Sequence, residues 1–241
     1  MYNLLISLFC STIVTFSVMK FAGQSPLIAG LAGLVVFTLA YILIMRTVMK
    51  RFGALMEVAQ RDVQANRADR AIHVMKSAFK FAPWQLYIKQ QVNAQIGSIL
   101  YLKRDFQEAL PYLEQAFVRH WVAMCMLGIS YMKKNKQQKM IEAFEKATSG
   151  TKKEPLGWAI YAYCLEKSDE HGKAIAVIEK GLKKNPGDEA LSENLELLKE
   201  GKKMKMRAFG DMWYQFHLEK PGAIIKQQTK AMTGRRKMVR R

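Results

Sequence analysis

Hydrophobic and polar positions fall into two regimes along the chain. From Leu4 to Met45 the only formal charge is Lys20, whereas from Arg46 onward charged residues recur every few positions. Tyr2 to Met19 is a nearly continuous apolar run, and Leu27 to Met45 is nineteen residues without a charge, close to the ~20 that a helix needs to cross a bilayer core. Both predict transmembrane helices. Ala22-Gly23-Gln24-Ser25-Pro26 reads as the turn between them, with Pro26 suited to open the second helix. Ser7, Ser11 and Thr15 recur on one face of the first span, and Ala29 and Gly33 on the second, so these small residues predict the contact inside a hairpin. Nothing between Met45 and Phe52 breaks a helix, so the second span is expected to run on into the polar part.

Charge adds an orientation. The turn carries only Lys20, while Arg46, Lys50, Arg51 and Arg61 follow the second span, which places both termini in the cytoplasm by the positive-inside rule. The first segment lacks a basic leader, and Phe21-Ala22-Gly23 is a poor cleavage site, so the span is expected to be retained. Short spans and a compact polar part point to a bacterial inner membrane. The net charge of +18 is concentrated late: beyond Gly201, twelve Lys/Arg stand against Asp211 and Glu219. Such an end invites an anionic neighbour.

The polar part has an internal period of 34 residues, with Trp121 to Glu154 and Pro155 to Asp188 as consecutive units. The first supplies Leu127, Gly128, Tyr131, Phe144 and Ala147, with Met140 where a small residue would stand; the second supplies Trp158, Ala162, Ala174 and Pro186. Tyr161, Leu165, Ile178 and Gly181 fill the remaining positions of the second unit. This pattern resembles the tetratricopeptide repeat (TPR). Gln90 to His120 carries Gly97, Ala109, Leu113 and Ala116, and Phe52 to Gln85 carries Ala59, Ala71, Met75, Ala78 and Pro83, so two weaker units precede. Glu189 to Lys202 has leucines on one face and acids on the other, as a solvating end cap requires.

The resemblance implies an all-α fold: a two-helix transmembrane hairpin, then a TPR-like α-solenoid of about four helix pairs with a C-terminal cap helix. The expected divisions are 1–48 for the hairpin, 49–203 for the repeats and 204–241 for a basic tail. It also implies a concave face made by the first helix of each pair. Carried over residue by residue, that partner-binding groove comprises Gln60, Gln91, Ser98, Tyr101, Val122, Cys125, Ile129, Met132, Leu156, Ala159 and Tyr163. TPR proteins that clamp a C-terminal carboxylate place Lys and Asn there, and Met56, Gln60, Ser98, Val122 and Met126 supply neither. A mostly apolar groove with Met and Tyr instead suits the face of an amphipathic helix, from a protein partner or a subunit of a membrane complex. Association with a second copy is also compatible with it.

Beyond Lys202, Met206, Phe209, Trp213 and Phe216 recur at helical spacing and predict an amphipathic tail helix, with a mild interruption at Gly210 and an end at Pro221-Gly222. Its apolar stripe has three possible sinks: the groove of its own array, the membrane interface or a partner. Arg235, Arg236, Lys237, Arg240 and Arg241 form a basic cluster suited to anionic lipid, with RNA or ribosome tethering as the alternative.

Catalytic chemistry has little footing. His73, His120, His171 and His217 lie far apart, and no HExxH, GxSxG, Walker or GxGxxG motif occurs. Cys10, Cys125 and Cys164 have no ligand spacing; the last two fall on apolar helical faces, where packing is the ordinary role. Neither a metal nor a cofactor is expected, and the sequence reads as an interaction protein rather than an enzyme.

Overall fold

The computed structural model describes residues 1–23 and 25–219, and within them every regular element is helical. These residues form two compact units: 1–99 with 114–117, and 100–113 with the chain from 118 on.

Unit 1 begins with α1 (Tyr2–Phe21) and α2 (Pro26–Gln64), which pack side by side. Both are long and apolar enough to cross a membrane. Small residues set their contact: Ser11 Oγ donates to the Gly33 carbonyl at 2.8 Å, and a methyl group on Gly33 would run into the Thr15 hydroxyl. Ser7 and Ala29 are fully buried in the same seam. The second helix does not stop at the first charges. It continues for 39 residues, about 58 Å at 1.5 Å per residue, so roughly half of it extends past a 30 Å hydrocarbon core. In that extension Phe52, Ala59 and Asp62 are buried, and α3 (Ala68–Ser77) packs on it through Ala71, Ile72 and Met75. One helix thus carries the second apolar run and also forms the first helix of a repeat.

A 3-10 turn (Ala78–Phe81) follows, then a loop through Tyr87 to α4 (Ile88–Leu102) and α5 (Phe106–Glu114). In unit 2, α6 (Trp121–Lys133) pairs with α7 (Gln137–Gly150), α8 (Pro155–Glu166) pairs with α9 (His171–Lys184), and α10 (Glu189–Lys199) packs on α9 and α8. Asp188 caps α10 by accepting from the Leu191 N–H at 2.8 Å.

Each helix pair closes with the same turn. Asn66 in unit 1, and Arg104, Asn135 and Asp169 in unit 2, have positive φ. The next residue's N–H then reaches back five residues: Arg67 to the Asp62 carbonyl, Asp105 to Leu100, Lys136 to Tyr131 and Glu170 to Leu165, all at 2.8–3.0 Å. This is a Schellman end, which satisfies carbonyls that the helix leaves open. Its recurrence identifies the two weaker sequence units as helix pairs of the same kind.

Close approach within a pair depends on missing side chains. A methyl on Gly128 would meet the Phe144 ring at 2.6 Å, and one on Gly181 would meet the Trp158 side chain at 2.9 Å. Phe144 then stacks on Tyr161 of the next pair, ring centroids 5.0 Å apart, carrying the contact from α7 to α8.

The tail departs from the sequence expectation. Instead of one amphipathic helix, it forms a 3-10 turn (Met206–Phe209) and a four-residue helix, α11 (Asp211–Tyr214), broken at Gly210 with φ 71° and ψ −155°, a region essentially open only to glycine. The expected end at Pro221-Gly222 and the cluster Arg235, Arg236, Lys237, Arg240 and Arg241 lie outside the described residues.

Gly128→Ala and Gly181→Ala should each destabilise the detergent-solubilised protein by about 1 to 3 kcal/mol through overpacking. Gly172→Ala, whose added methyl meets nothing within 4 Å, should leave the thermal midpoint unchanged or raise it slightly. Equal losses for all three would reject the assigned helix register.

Candidate protein-binding site

The predicted groove positions separate by burial. Gln60 and Gln91 are exposed on unit 1, and Ser98 is buried there with its hydroxyl unpartnered. In unit 2, Tyr101, Cys125, Ile129 and Ala159 are fully buried, Leu156 nearly so, and Val122, Met132 and Tyr163 half-buried. Residues on an open concave face would not be this enclosed. Over Tyr101 and Tyr163 the cover is the tail.

After α10 the chain is tied back by Asn194, whose carbonyl oxygen accepts from the Lys205 N–H at 2.7 Å while its amide donates to the Ala190 carbonyl. The tail then crosses three first helices in succession. The Trp213 ring meets Tyr163 of α8 edge-on at 5.1 Å, the Phe216 ring lies 6.3 Å from Trp121 of α6, and His217 stacks on Tyr101 of α4 at 5.8 Å. Tyr101 Oη donates to the Phe216 carbonyl at 2.7 Å, and a ring nitrogen of His217 lies 3.3 Å from the Leu102 carbonyl. Trp213 is 1 % exposed and Phe216 0 %. Met206 is also buried, while Phe209 is only half-buried, so three of the four predicted stripe residues are covered.

A polar clasp fixes the end of this segment. Glu219 accepts from Trp213 Nε1 at 2.9 Å and from Arg207 Nη2 at 3.1 Å. Burial pushes its carboxyl up, but the Trp213 and Arg207 bonds outweigh that and hold it below the usual carboxylate range. The indole N–H is thereby satisfied, as a buried Trp requires.

The electrostatics around Tyr101 are those of a dry site. Burial first, then nearby Cys164 and Cys125, raise the Tyr101 phenol far above its ordinary value, so it stays a neutral donor. Burial likewise raises both thiols, which makes them packing residues and poor nucleophiles. Lys133 lies over the Phe106 ring at 4.4 Å, and burial and Arg104 lower its pKa. His217 is lowered by burial, then by Arg104 and Lys133, against the raising effect of its Leu102 bond.

Sequence reasoning located Tyr101, Tyr163, Trp213 and Phe216, but it missed Trp121, Lys133, Arg207, His217 and Glu219. Helical spacing marks apolar stripes. A polar residue whose partner lies more than a hundred positions away, as His217 and Leu102 do, leaves no local trace.

A tetratricopeptide repeat family profile matches residues 122–149, the α6–α7 pair. Among solved structures, one titled "Crystal structure of MamA protein" is 18% identical, with a TM-score of 0.50, covering 75% of this chain and 94% of that one. A second crystal structure of MamA is 18% identical at a TM-score of 0.49, covering 73% and 97%. A third, MamA from residue 41 to its end from Desulfovibrio magneticus RS-1, is 18% identical at 0.44, covering 73% and 94%. The first of these likenesses carries the fold and nothing more. No curated protein matches the sequence.

Because its pKa is lowered from 6.5, neutral His217 favours the docked tail. That contribution is complete above pH 6.5 and is lost as the pH falls below it, where the released imidazole binds a proton that the docked one resists. Acidification from about pH 7.5 to 5.5 should therefore red-shift tryptophan emission as Trp213 leaves its site. His217→Asn, which tolerates positive φ and can still donate to the Leu102 carbonyl, should flatten that response; an unchanged response would reject this role for His217.

Proposed function

We propose that this tetratricopeptide-repeat chain is a membrane-anchored scaffold: α1 and the first half of α2 hold it in a membrane with both termini cytoplasmic, and its repeats recruit a protein partner into a membrane complex. It catalyses no reaction in this reading. A bacterial inner membrane is the proposed location.

The supporting observation is what fills the first-helix face of unit 2. Tyr101, Trp121 and Tyr163 receive a short, irregular, aromatic segment by ring contacts and one buried hydrogen bond to its backbone. A face that accepts the chain's own Trp213 and Phe216 has the chemistry to accept an apolar segment of another protein, with aromatic anchors in desolvated pockets and a backbone bond fixing direction. Burying each large aromatic contributes roughly 2 to 3 kcal/mol, but ordering every tail residue opposes it. The tail is thus displaceable by a better-matched segment. The partner competes with a tethered occupant, so the site's specificity rests on outbinding it.

Orientation is tested by thiol labelling. In intact cells an impermeant reagent should reach a cysteine at Gln24 but not one at Lys183, while buried Cys125 and Cys164 stay silent on either side. Labelling at Lys183 would reverse the topology.

For the site, removal of residues 204–241 should raise recovery of the partner crosslinked in native membranes, and Tyr163→Ala should lower it. A partner set indifferent to both changes would remove the scaffold reading.

A further inference from the structure

Unit 1 holds a second feature that the scaffold reading leaves unused. Where α2 passes from apolar to charged, a cavity of about 350 Å³ is lined by Leu43, Ile44, Thr47, Val48 and Arg51 from α2 and by Phe81 and Trp84 from the segment after α3. Leu43 and Ile44 belong to the uncharged run of the second span, and Arg51 lies eight residues further on, about 12 Å along the helix. That length matches a descent from head-group level into hydrocarbon, since the polar zone is roughly 5 to 7 Å thick on each side.

The segment on the other wall is held at the same level by the start of the first span. The Tyr2 N–H donates to the Pro83 carbonyl at 2.9 Å, Asn3 Nδ2 donates to Gln85 Oε1 at 3.1 Å, and the Tyr2 and Trp84 rings meet edge-on at 5.4 Å. Tyr and Trp with nearby cations are the residues that settle at a membrane interface; Lys80 lies four residues before Trp84, and Arg46 and Lys50 flank the α2 wall of the cavity in the sequence. Leu43 remains 65 % exposed, so the apolar end of the cavity opens on a face suited to hydrocarbon. Arg51 is exposed and pairs with no carboxylate among the described residues.

We infer that this cavity binds one phospholipid, its acyl chain lying between Leu43–Val48 and the Phe81 and Trp84 rings and its phosphate on the Arg51 guanidinium. The inference rests on the membrane anchoring proposed above. Arginine suits the phosphate because its planar fork gives two parallel charge-assisted bonds, and the indole N–H of Trp84 would lie at glycerol level. The bound lipid would complete the packing between α2 and the loop after α3, a join that otherwise leaves a gap.

The test uses the full chain, purified in mild detergent and reconstituted in nanodiscs of equal parts phosphatidylcholine and phosphatidylglycerol. Native mass spectrometry of the detergent-purified protein should show one retained phospholipid. Arg51→Glu should lower that occupancy about tenfold, the equivalent of one charge-assisted hydrogen bond, while Lys50→Glu, the same charge change off the cavity, should not. In nanodiscs containing brominated lipid, a fraction of the tryptophan fluorescence should be quenched, and Trp84→Phe should remove that fraction. A chain that fails to enter nanodiscs and is extracted by carbonate would overturn the membrane anchoring itself. An inserted chain that retains no lipid, loses it equally with Lys50→Glu and Arg51→Glu, or keeps its quenching in Trp84→Phe would overturn the lipid site alone.

Discussion

Two helices of unit 2 are apolar around their whole circumference, and most of that unit follows from having to cover them. In α6, every residue from Ala123 to Tyr131 is buried, and in α8, every residue from Leu156 to Ala162. A helix that is hydrophobic all round needs neighbours on all sides. The second helices α7 and α9, with polar residues on their outer faces, cover one side only. The other side is the first-helix face, where residues 213–217 of the same chain lie against Tyr101, Trp121 and Tyr163. The tail is therefore packed into unit 2 as the occupant of its first-helix face.

That double role shapes the chemistry of the site. An apolar face kept dry needs few polar groups, but each must be satisfied. Tyr101 gives its hydroxyl to a backbone carbonyl, Trp213 gives its indole N–H to Glu219, and Glu219 takes its second partner from Arg207. These bonds add direction to contacts that are otherwise ring against ring. In the scaffold reading proposed above, an incoming segment would have to offer Tyr101 an acceptor or leave a buried hydroxyl unpaired, a loss of about 1 to 3 kcal/mol.

The fold was largely legible from the residues. Small residues at four-residue spacing located the hairpin seam, and the absence of a breaker between Met45 and Phe52 foretold the unbroken α2. The 34-residue period located α6 to α9. Less was legible where geometry departs from periodicity. Helical spacing at 206, 209, 213 and 216 is satisfied equally by two short turns, and only the backbone of Gly210 decides between them. Asn66, Asn135 and Asp169 are residue types that tolerate positive φ, but Arg104 is not, so nothing local announced the second turn. In the aromatic segment Phe79–Tyr87 only Pro83 matches a repeat position, and two of its partners, Tyr2 and Asn3, come from the start of the chain. For the site, the apolar half was readable and the polar half was not, because hydrogen bonds to distant carbonyls have no sequence period.

The unbroken α2 carries a mechanical consequence. A bilayer that thins or thickens makes a spanning helix change its tilt, and a helix such as α2, with no proline beyond its first residue, transmits that rotation as a stiff rod. It ends at Gln64, so the first helix pair would swing with the helix through the same angle. A chain anchored through a flexible linker would absorb such strain and report nothing. In the anchored reading proposed above, lateral pressure, curvature or lipid composition would become an angular input to the first repeat.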